Sequence, residues 1–460
     1  MKSYERCWKF VSYSGCLALI GSLLVGSQQS LAQNAESSGS ERLRLTVAPH
    51  QPSRIAMKTL PKAVCELHAD GDGDPSRSFK LFSDDEGMIR FNVNPSEESE
   101  AIAAFAADCS ADGQSRTFGL ELRPSSTPRL DMPAPVAEIR TPKPSDVIRP
   151  ALTKEEALQL SDDELVKREY PVRPNPIQAP RPFANWLQVV TKPARRVDSR
   201  QMAYPELRAS SQANTNNWSG WDFKDAPNEE PNSIFDMVEG EWYVPTVTAP
   251  VSEGTSYSVL WVGLDGDDGI CPKYCPGNGQ TSDLWQAGTL QQTIDHFFFG
   301  HQYSISYYYA WTELVPAQSL QVLPNFSVFP GDEMFISVWV GNLVGSPSLS
   351  GAYGIAFVED VTRGEYTYVY TPRGQVNILG YQAEWIMERP YESGALPNLS
   401  DYNNAFMYSP YSRLLNGEWV SYDQPNSQQL FMYDQNTGDL LSGSYSFGPG
   451  TIYFQWYNFQ

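Results

Sequence analysis

The chemistry open to this chain rests on carboxylates and amides, among them an amide, Gln286, flanked by aromatic residues, and a carboxylate, Glu388, about a hundred residues on. Gln286 lies in Ser282-Asp283-Leu284-Trp285-Gln286-Ala287-Gly288-Thr289, and Glu388 ends Ala383-Glu384-Trp385-Ile386-Met387-Glu388 far downstream. A carboxylate can take a proton from water and return it to a leaving group. An amide N–H can donate to an oxyanion as charge develops, while its carbonyl oxygen helps to hold the water. Other chemistries fall away with their motifs. The chain has no Gly-x-Ser-x-Gly elbow, no His-Glu-x-x-His, no Asp-Thr-Gly or Asp-Ser-Gly, no P-loop and no dinucleotide-binding fingerprint. His296 and His301 are the only histidines after residue 210, and His296, beside Phe297-Phe298-Phe299, reads as structural. Singly, a glutamate on a strand is more often a rim charge and a glutamine more often a satisfied amide. The combination has to carry the reading.

The elements that must hold these groups are strands. From Asn216 onward the chain is aromatic, β-branched and Gly/Asn-rich in short alternating runs. Alternation puts Tyr303, Ile305, Tyr307, Tyr309, Trp311 and Glu313 on one face, with Ser304, Ser306, Tyr308, Ala310 and Thr312 on the other. It likewise puts Glu384, Ile386 and Glu388 on one face, and Ala383, Trp385 and Met387 on the other. Residues 334–343, 366–370 and 452–459 are also strand-like, and no long helical period appears. The pattern predicts an all-β, antiparallel sandwich or barrel over residues 211–460.

The rest of the chain has a different texture. Lys2, Arg6 and Lys9, an apolar run from Cys16 to Val25, and Ser30-Leu31-Ala32 give residues 1–32 the order of a secretory signal. The expectation is a secreted protein, extracellular or periplasmic, with no membrane association after signal removal. Residues 43–122 read as a small, mainly β domain with one helical stretch at 97–107. Residues 123–205 read as a Pro-rich linker, interrupted by the capping boxes Thr153-Lys154-Glu155-Glu156 and Ser161-Asp162-Asp163-Glu164, which predict a short helical island. In an exported chain the four cysteines beyond the signal predict two local disulfides, Cys65–Cys109 and Cys271–Cys275. Cys-x3-Cys lacks further ligands at zinc spacing, and Asp70-Gly71-Asp72-Gly73-Asp74 lacks the rest of a calcium loop, so no metal or other cofactor is expected.

Charge divides the chain at the same place. Residues 211–460 hold 27 Asp and Glu against 6 Lys and Arg, whereas residues 1–210 balance. The net charge of -21 therefore belongs to the sandwich, excludes nucleic acid as a partner, and suits a protein that works at low pH. The tether ends in Lys192, Arg195, Arg196 and Arg200. At neutral pH these cations would be drawn to the ionised domain and hold the tether across its cleft; at acid pH they would let go.

Six blocks in order give the second half a family resemblance. They are Asn217-Trp218-Ser219-Gly220, Trp242-Tyr243-Val244-Pro245, residues 261–266, Trp285-Gln286-Ala287-Gly288, Ala310-Trp311-Thr312-Glu313 with Pro316, and residues 383–388. Together they resemble the glutamic peptidases, the eqolisins. The resemblance implies a concanavalin-like, jelly-roll type β-sandwich, and an acid endopeptidase made as a precursor that acts on protein or peptide substrates. It implies Gln286 and Glu388 as the catalytic pair, with Trp218, Trp261, Asp265, Trp311 and Glu313 around them. Gly288 selects Gln286 over Gln291 and Gln292. Asp265 is expected to tune Glu388 as a like charge, the three tryptophans to wall the cleft, and the chain's own N-terminal segment to act as an intramolecular inhibitor. Tyr309, where fungal members carry Asp, and the insert at 269–282 bear on specificity and pH optimum. The rival readings are a carbohydrate-binding or structural sandwich without catalysis, and a glycosidase using Glu313 and Glu388 as paired carboxylates.

Overall fold

The computed structural model describes residues 29–31, 41–47, 53–69, 79–83, 87–95, 103–124, 147–195 and 200–201. From 214 to 457 it describes all but 225–233, 251–253, 267–282, 299–300, 342–352, 373–377, 392–394, 425–426 and 448–449. The proposed signal, apart from 29–31, and the Cys271–Cys275 pair lie outside the described residues.

Alternating sequence in the second half becomes two packed antiparallel sheets. Numbered from the start of this sandwich, the strands are β1 (Trp218–Lys224), β2 (Phe235–Tyr243), β3 (Gly254–Leu264), β4 (Leu284–Phe298), β5 (His301–Val315), β6 (Gln318–Ser327) and β7 (Glu333–Gly341). They continue as β8 (Tyr353–Asp360), β9 (Glu365–Tyr370), β10 (Gln382–Glu388), β11 (Asn404–Leu414), β12 (Ser427–Tyr433), β13 (Leu440–Ser446) and β14 (Thr451–Trp456). The front sheet runs β12-β1-β10-β3-β4-β5-β6. The back sheet runs β9-β8-β7-β2-β11-β14-β13-β12, so β12 belongs to both and closes one side.

The inward face of each strand supplies the core. Leu260, Val262, Trp285, Ala310 and Trp385 of the front sheet meet Val238, Trp242, Ile336, Val358 and Met407 of the back sheet. Two of the indole N–H groups carried into this core bond across it. Trp242 Nε1 donates to Thr289 Oγ1 at 3.0 Å and Trp385 Nε1 to the Glu239 carbonyl at 2.9 Å, each joining one sheet to the other. The faces read from the sequence are the faces observed. Ala383, Trp385 and Met387 point into the sandwich, and Ile386 packs with Trp218, Trp261 and Trp311 on the other side.

The first half departs from its expected layout in three ways. A five-stranded sheet, in the order 41–47, 114–124, 103–111, 64–69, 79–82, is fastened by a disulfide between the register partners Cys65 and Cys109. Residues 103–107, expected to be helical, begin a strand of that sheet. Paired on both sides and bridged at Cys109, the segment gains two ladders and a crosslink, which override the weak helix preference of its alanines. Second, Ser53–Lys58 and Met88–Pro95 leave that sheet, pair with each other, and extend the front sheet through β5, where Ile305 faces Val93.

The third departure lies in the expected linker, much of which is folded. Thr153 and Ser161 do form capping boxes, at the starts of α1 (Lys154–Gln159) and α2 (Asp162–Lys167). A third helix, α3 (Pro180–Val190), starts on Pro180, where a missing N–H costs nothing. Its buried Trp186 and Val190 pack with Leu152, Ala157, Leu165 and Tyr170. Proline density reads as extended chain because prolines at helix starts and in turns look the same by composition. Among the described residues no helix is long and apolar enough to cross a membrane.

Candidate active site

Register on the outward face of the front sheet assembles the polar residues in rows. Gln286 on β4 stands opposite Glu313 on β5 and Gly263 on β3, and Gly263 stands opposite Glu384 on β10. Glu388, at the end of β10, lies opposite Trp218 on β1 and Val259 on β3. Two glycines make room for the indole that joins these rows. A Cβ on Gly288 would come within 2.6 Å of the Trp261 Cβ, and one on Gly263 within 2.8 Å of the Trp261 ring. Trp261 thus lies against both glycines and delivers its Nε1 proton to Glu388 Oε2 at 2.8 Å. Trp218 meets the same indole edge-on, with ring centroids 5.2 Å apart.

Gln286 is oriented by a carboxyl group. Its Nε2 donates to Glu313 Oε2 at 2.9 Å, while its Oε1 is buried without a hydrogen-bond partner. The second N–H and the carbonyl oxygen are thereby the groups left for a reactant. The neighbouring glutamines are engaged elsewhere. Gln291 points into the core, where Ser258 Oγ and Thr289 Oγ1 bond it, and Gln292 donates to Tyr257 Oη at 3.0 Å.

Burial sets the protonation of this face. Gln286, Glu313 and Glu388 are each 1% exposed. Burial pushes the Glu388 carboxyl up to about 7, against the opposing influence of Trp218, Trp261 and Asn217, which favour its charged form. Burial, then the nearby Glu388 charge, raises Glu313 well above the carboxylate range; the Leu320 N–H and the Gln286 amide oppose that rise. Among the described residues, the groups acting on these two glutamates are neutral donors and, on Glu313, the Glu388 charge. Arg389, next in sequence to Glu388, turns away: Nη2 donates to the Asn216 carbonyl at 2.9 Å, and its backbone N–H donates to the Asn217 carbonyl at 2.7 Å. It holds the turn that carries Asn217.

Asp265 has a different place from the one expected. Its carboxylate accepts backbone N–H groups of Leu379, Gly380 (3.0 Å) and Tyr381 (2.6 Å), tying the end of β3 to the entry of β10. Burial raises it to about 6, and those N–H groups oppose the shift. It is not among the groups that act on Glu388; the carboxylate electrostatically linked to Glu388 is Glu313. Trp311 is fully buried opposite Gly288 and packs under Leu320 and Val322, a core position in this closed arrangement. Glu384 and Asp222, register partners in the Gln286 row and both buried, went unremarked as site residues in the sequence. The period-two alternation that puts Glu384 on the Glu388 face points to the first, and no signal in the sequence points to Asp222. Among the described residues, no group of three or more His, Cys, Asp or Glu is placed to hold a metal ion.

The molecule is thus a two-sheet antiparallel sandwich whose front outward face carries Gln286, Glu313, Glu384, Glu388 and three tryptophans. The chain belongs to the Peptidase A4 family, whose model matches residues 216–449, and is thus a glutamic peptidase, a hydrolase of peptide bonds. Crystal structures of scytalido-glutamic peptidase are similar to it: one with a transition state analog inhibitor (18% identity, TM-score 0.38) and one with a peptide based transition state analog (19%, 0.38). A third is SCP-B, a member of the eqolisin family, in complex with the tripeptide Ala-Ile-His (17%, 0.36). Each match covers 53% of this chain and 98% of the other. No curated protein matches the chain.

Proposed function

We propose that this protein is a secreted acid endopeptidase, made as a precursor, in which Gln286 and Glu388 are the reacting pair. The observation that carries the reading is the set of bonds around the pair. Glu313 fixes the Gln286 amide and leaves one N–H and Oε1 free, while Glu388 is held by the Trp261 indole N–H and keeps a proton equilibrium of its own. Ionised Glu388 takes a proton from a water held at Gln286 Oε1. That water attacks the scissile carbonyl, and the second Gln286 N–H donates to the oxyanion. Glu388 then returns the proton to the leaving amine.

The closed face supports the precursor reading. With both residues buried, a substrate carbonyl reaches them only after the face opens. Opening also admits water, which removes the desolvation that raises Glu388 and lets it ionise in the acid range. The inhibitory role falls to residues 196–213. Lys192 is engaged by Glu359 on the back sheet, away from the front face. Further on, Arg200 and Gln201 pair with Val322 and Gln321 on β6, next to the strand that carries Glu313. The test is digestion of casein at acid pH by the exported chain, with a pepsin-type inhibitor present. Cleavage that persists with the inhibitor and disappears in Glu388→Gln supports the pair. Unchanged cleavage in that variant refutes it, and sugar hydrolysis lost in Glu313→Gln would favour a paired-carboxylate glycosidase.

A further inference from the structure

Part of the outward face of the back sheet is as apolar as a core. Met237, Phe335, Trp339, Tyr353, Phe357 and Tyr368 are all buried there, in one cluster with Val189 and Ala194 from outside the sandwich. What covers this face is the stretch 147–195, which lies upstream of the family match. Polar contacts fix its seat. Asn185 Nδ2 donates to Glu239 Oε1 (2.9 Å) and Glu241 Oε1 (3.1 Å). Arg181 pairs with Glu241, and its Nε donates to Ser409 Oγ at 3.1 Å. Gln188 donates to Glu359 Oε2 at 2.6 Å, and Lys192 pairs with the same carboxylate. Tyr368 donates its hydroxyl proton to the Val189 carbonyl, and Tyr353 donates to Glu169 Oε1 at 2.7 Å. Arg149 lies over the rings of both Tyr170 and Tyr368, at 4.0 and 4.7 Å.

Neither partner has a good alternative. Helices α1 and α2 have six residues each and α3 eleven, lengths at which an isolated helix is marginal in water. Bare, the sheet would expose a contiguous aromatic patch of the kind that drives association. We propose that residues 147–195 are a permanent third layer of the peptidase, bound to the outer face of the back sheet. When the chain is cut between this segment and the sandwich, the product is a two-chain molecule in which the segment stays seated. The back face is then a binding surface for one amphipathic, basic-edged helical segment of this chain. The proposal stands whether or not Gln286 and Glu388 are the reacting pair, because it concerns the opposite side of the sandwich.

The experiment uses the exported full-length chain with a recognition site for a sequence-specific protease inserted after Pro205. After cutting at neutral pH, the two pieces are expected to co-elute on gel filtration, and α3 amides to exchange within about tenfold of their uncut rate. Retention through other contacts is distinguished by a charge reversal, Arg181→Glu with Asn185→Asp, opposite Glu239 and Glu241. Arg181 is 54% exposed, and the uncut variant remains tethered. In the cut variant, α3 exchange is expected to accelerate at least about a hundredfold while β4 and β10 stay protected. The proposal is overturned if cutting alone brings α3 to the exchange rate of an unfolded peptide, if the pieces separate, or if the reversal leaves α3 protection unchanged.

Discussion

Both outer faces of the sandwich bury glutamates on central strands, and the two sets are treated in opposite ways. On the back, Glu241 and Glu359 each meet a cation and an amide, from Arg181 with Asn185 and from Lys192 with Gln188. On the front, among the described residues, the groups acting on Glu313 and Glu388 are amides, indoles, a backbone N–H and, on Glu313, the Glu388 charge. A buried carboxylate beside a cation fastens two layers. One beside neutral donors keeps a movable proton. All four are buried glutamates, and the partner separates the structural acid from the chemical one. Glu239 is the intermediate case: on the back, next to Asn185 and the Glu241 charge, burial still pushes it well above the carboxylate range.

That contrast can be broken most sharply at Glu388. Glu388→Gln is expected to lower peptide hydrolysis by about 10²- to 10⁴-fold, the range for a lost general base. It should at the same time raise the melting temperature above neutral pH, because a buried charge is no longer forced on the fold. A variant that loses activity together with stability would make Glu388 a structural acid like those behind. Gln286→Ala should cost about 10²- to 10³-fold in kcat, as for a lost oxyanion donor. Little change in kcat in the folded variant would remove Gln286 from the chemistry.

The front carboxyls also give a signed pH dependence. Glu388 has its folded pKa raised from 4.5 to about 7, so between those values the native state holds a proton that the unfolded chain has lost. Its contribution is complete below 4.5, falls as pH rises, and is lost above about 7. At 1.36 kcal/mol per unit this amounts to ~3 kcal/mol, and Glu313 acts in the same direction. Denaturant titrations at pH 4 and pH 8 should show greater stability at the lower pH, with the slope reduced in Glu388→Gln. A slope of the opposite sign would mean that the front glutamates are ion-paired after all.

The smallest effect is expected from the back. Glu359→Gln removes one ion pair and should cost about 1–3 kcal/mol of stability, with kcat unchanged. A fall in kcat larger than the loss of folded protein would show that the two faces are coupled.

Much of this was legible in the residues themselves. Period-two alternation assigned Glu384, Ile386 and Glu388 to one face and Trp385 to the core, because a strand leaves its side chains only two directions. The capping boxes at Thr153 and Ser161 announced two helix starts for an equally local reason, a side chain bonding to backbone three residues on. What escaped depends on partners remote in sequence. Residues 103–111 are a strand because chain on both sides pairs with them. The Pro-rich stretch folds because an aromatic face accepts it. Asp265 ties β3 to β10 through a backbone more than a hundred residues away. Local steric and hydrogen-bonding rules let the sequence determine faces and caps by itself. Only tertiary packing decided which neighbours each buried carboxylate would have, and with them which acids hold the fold together and which keep a proton to exchange.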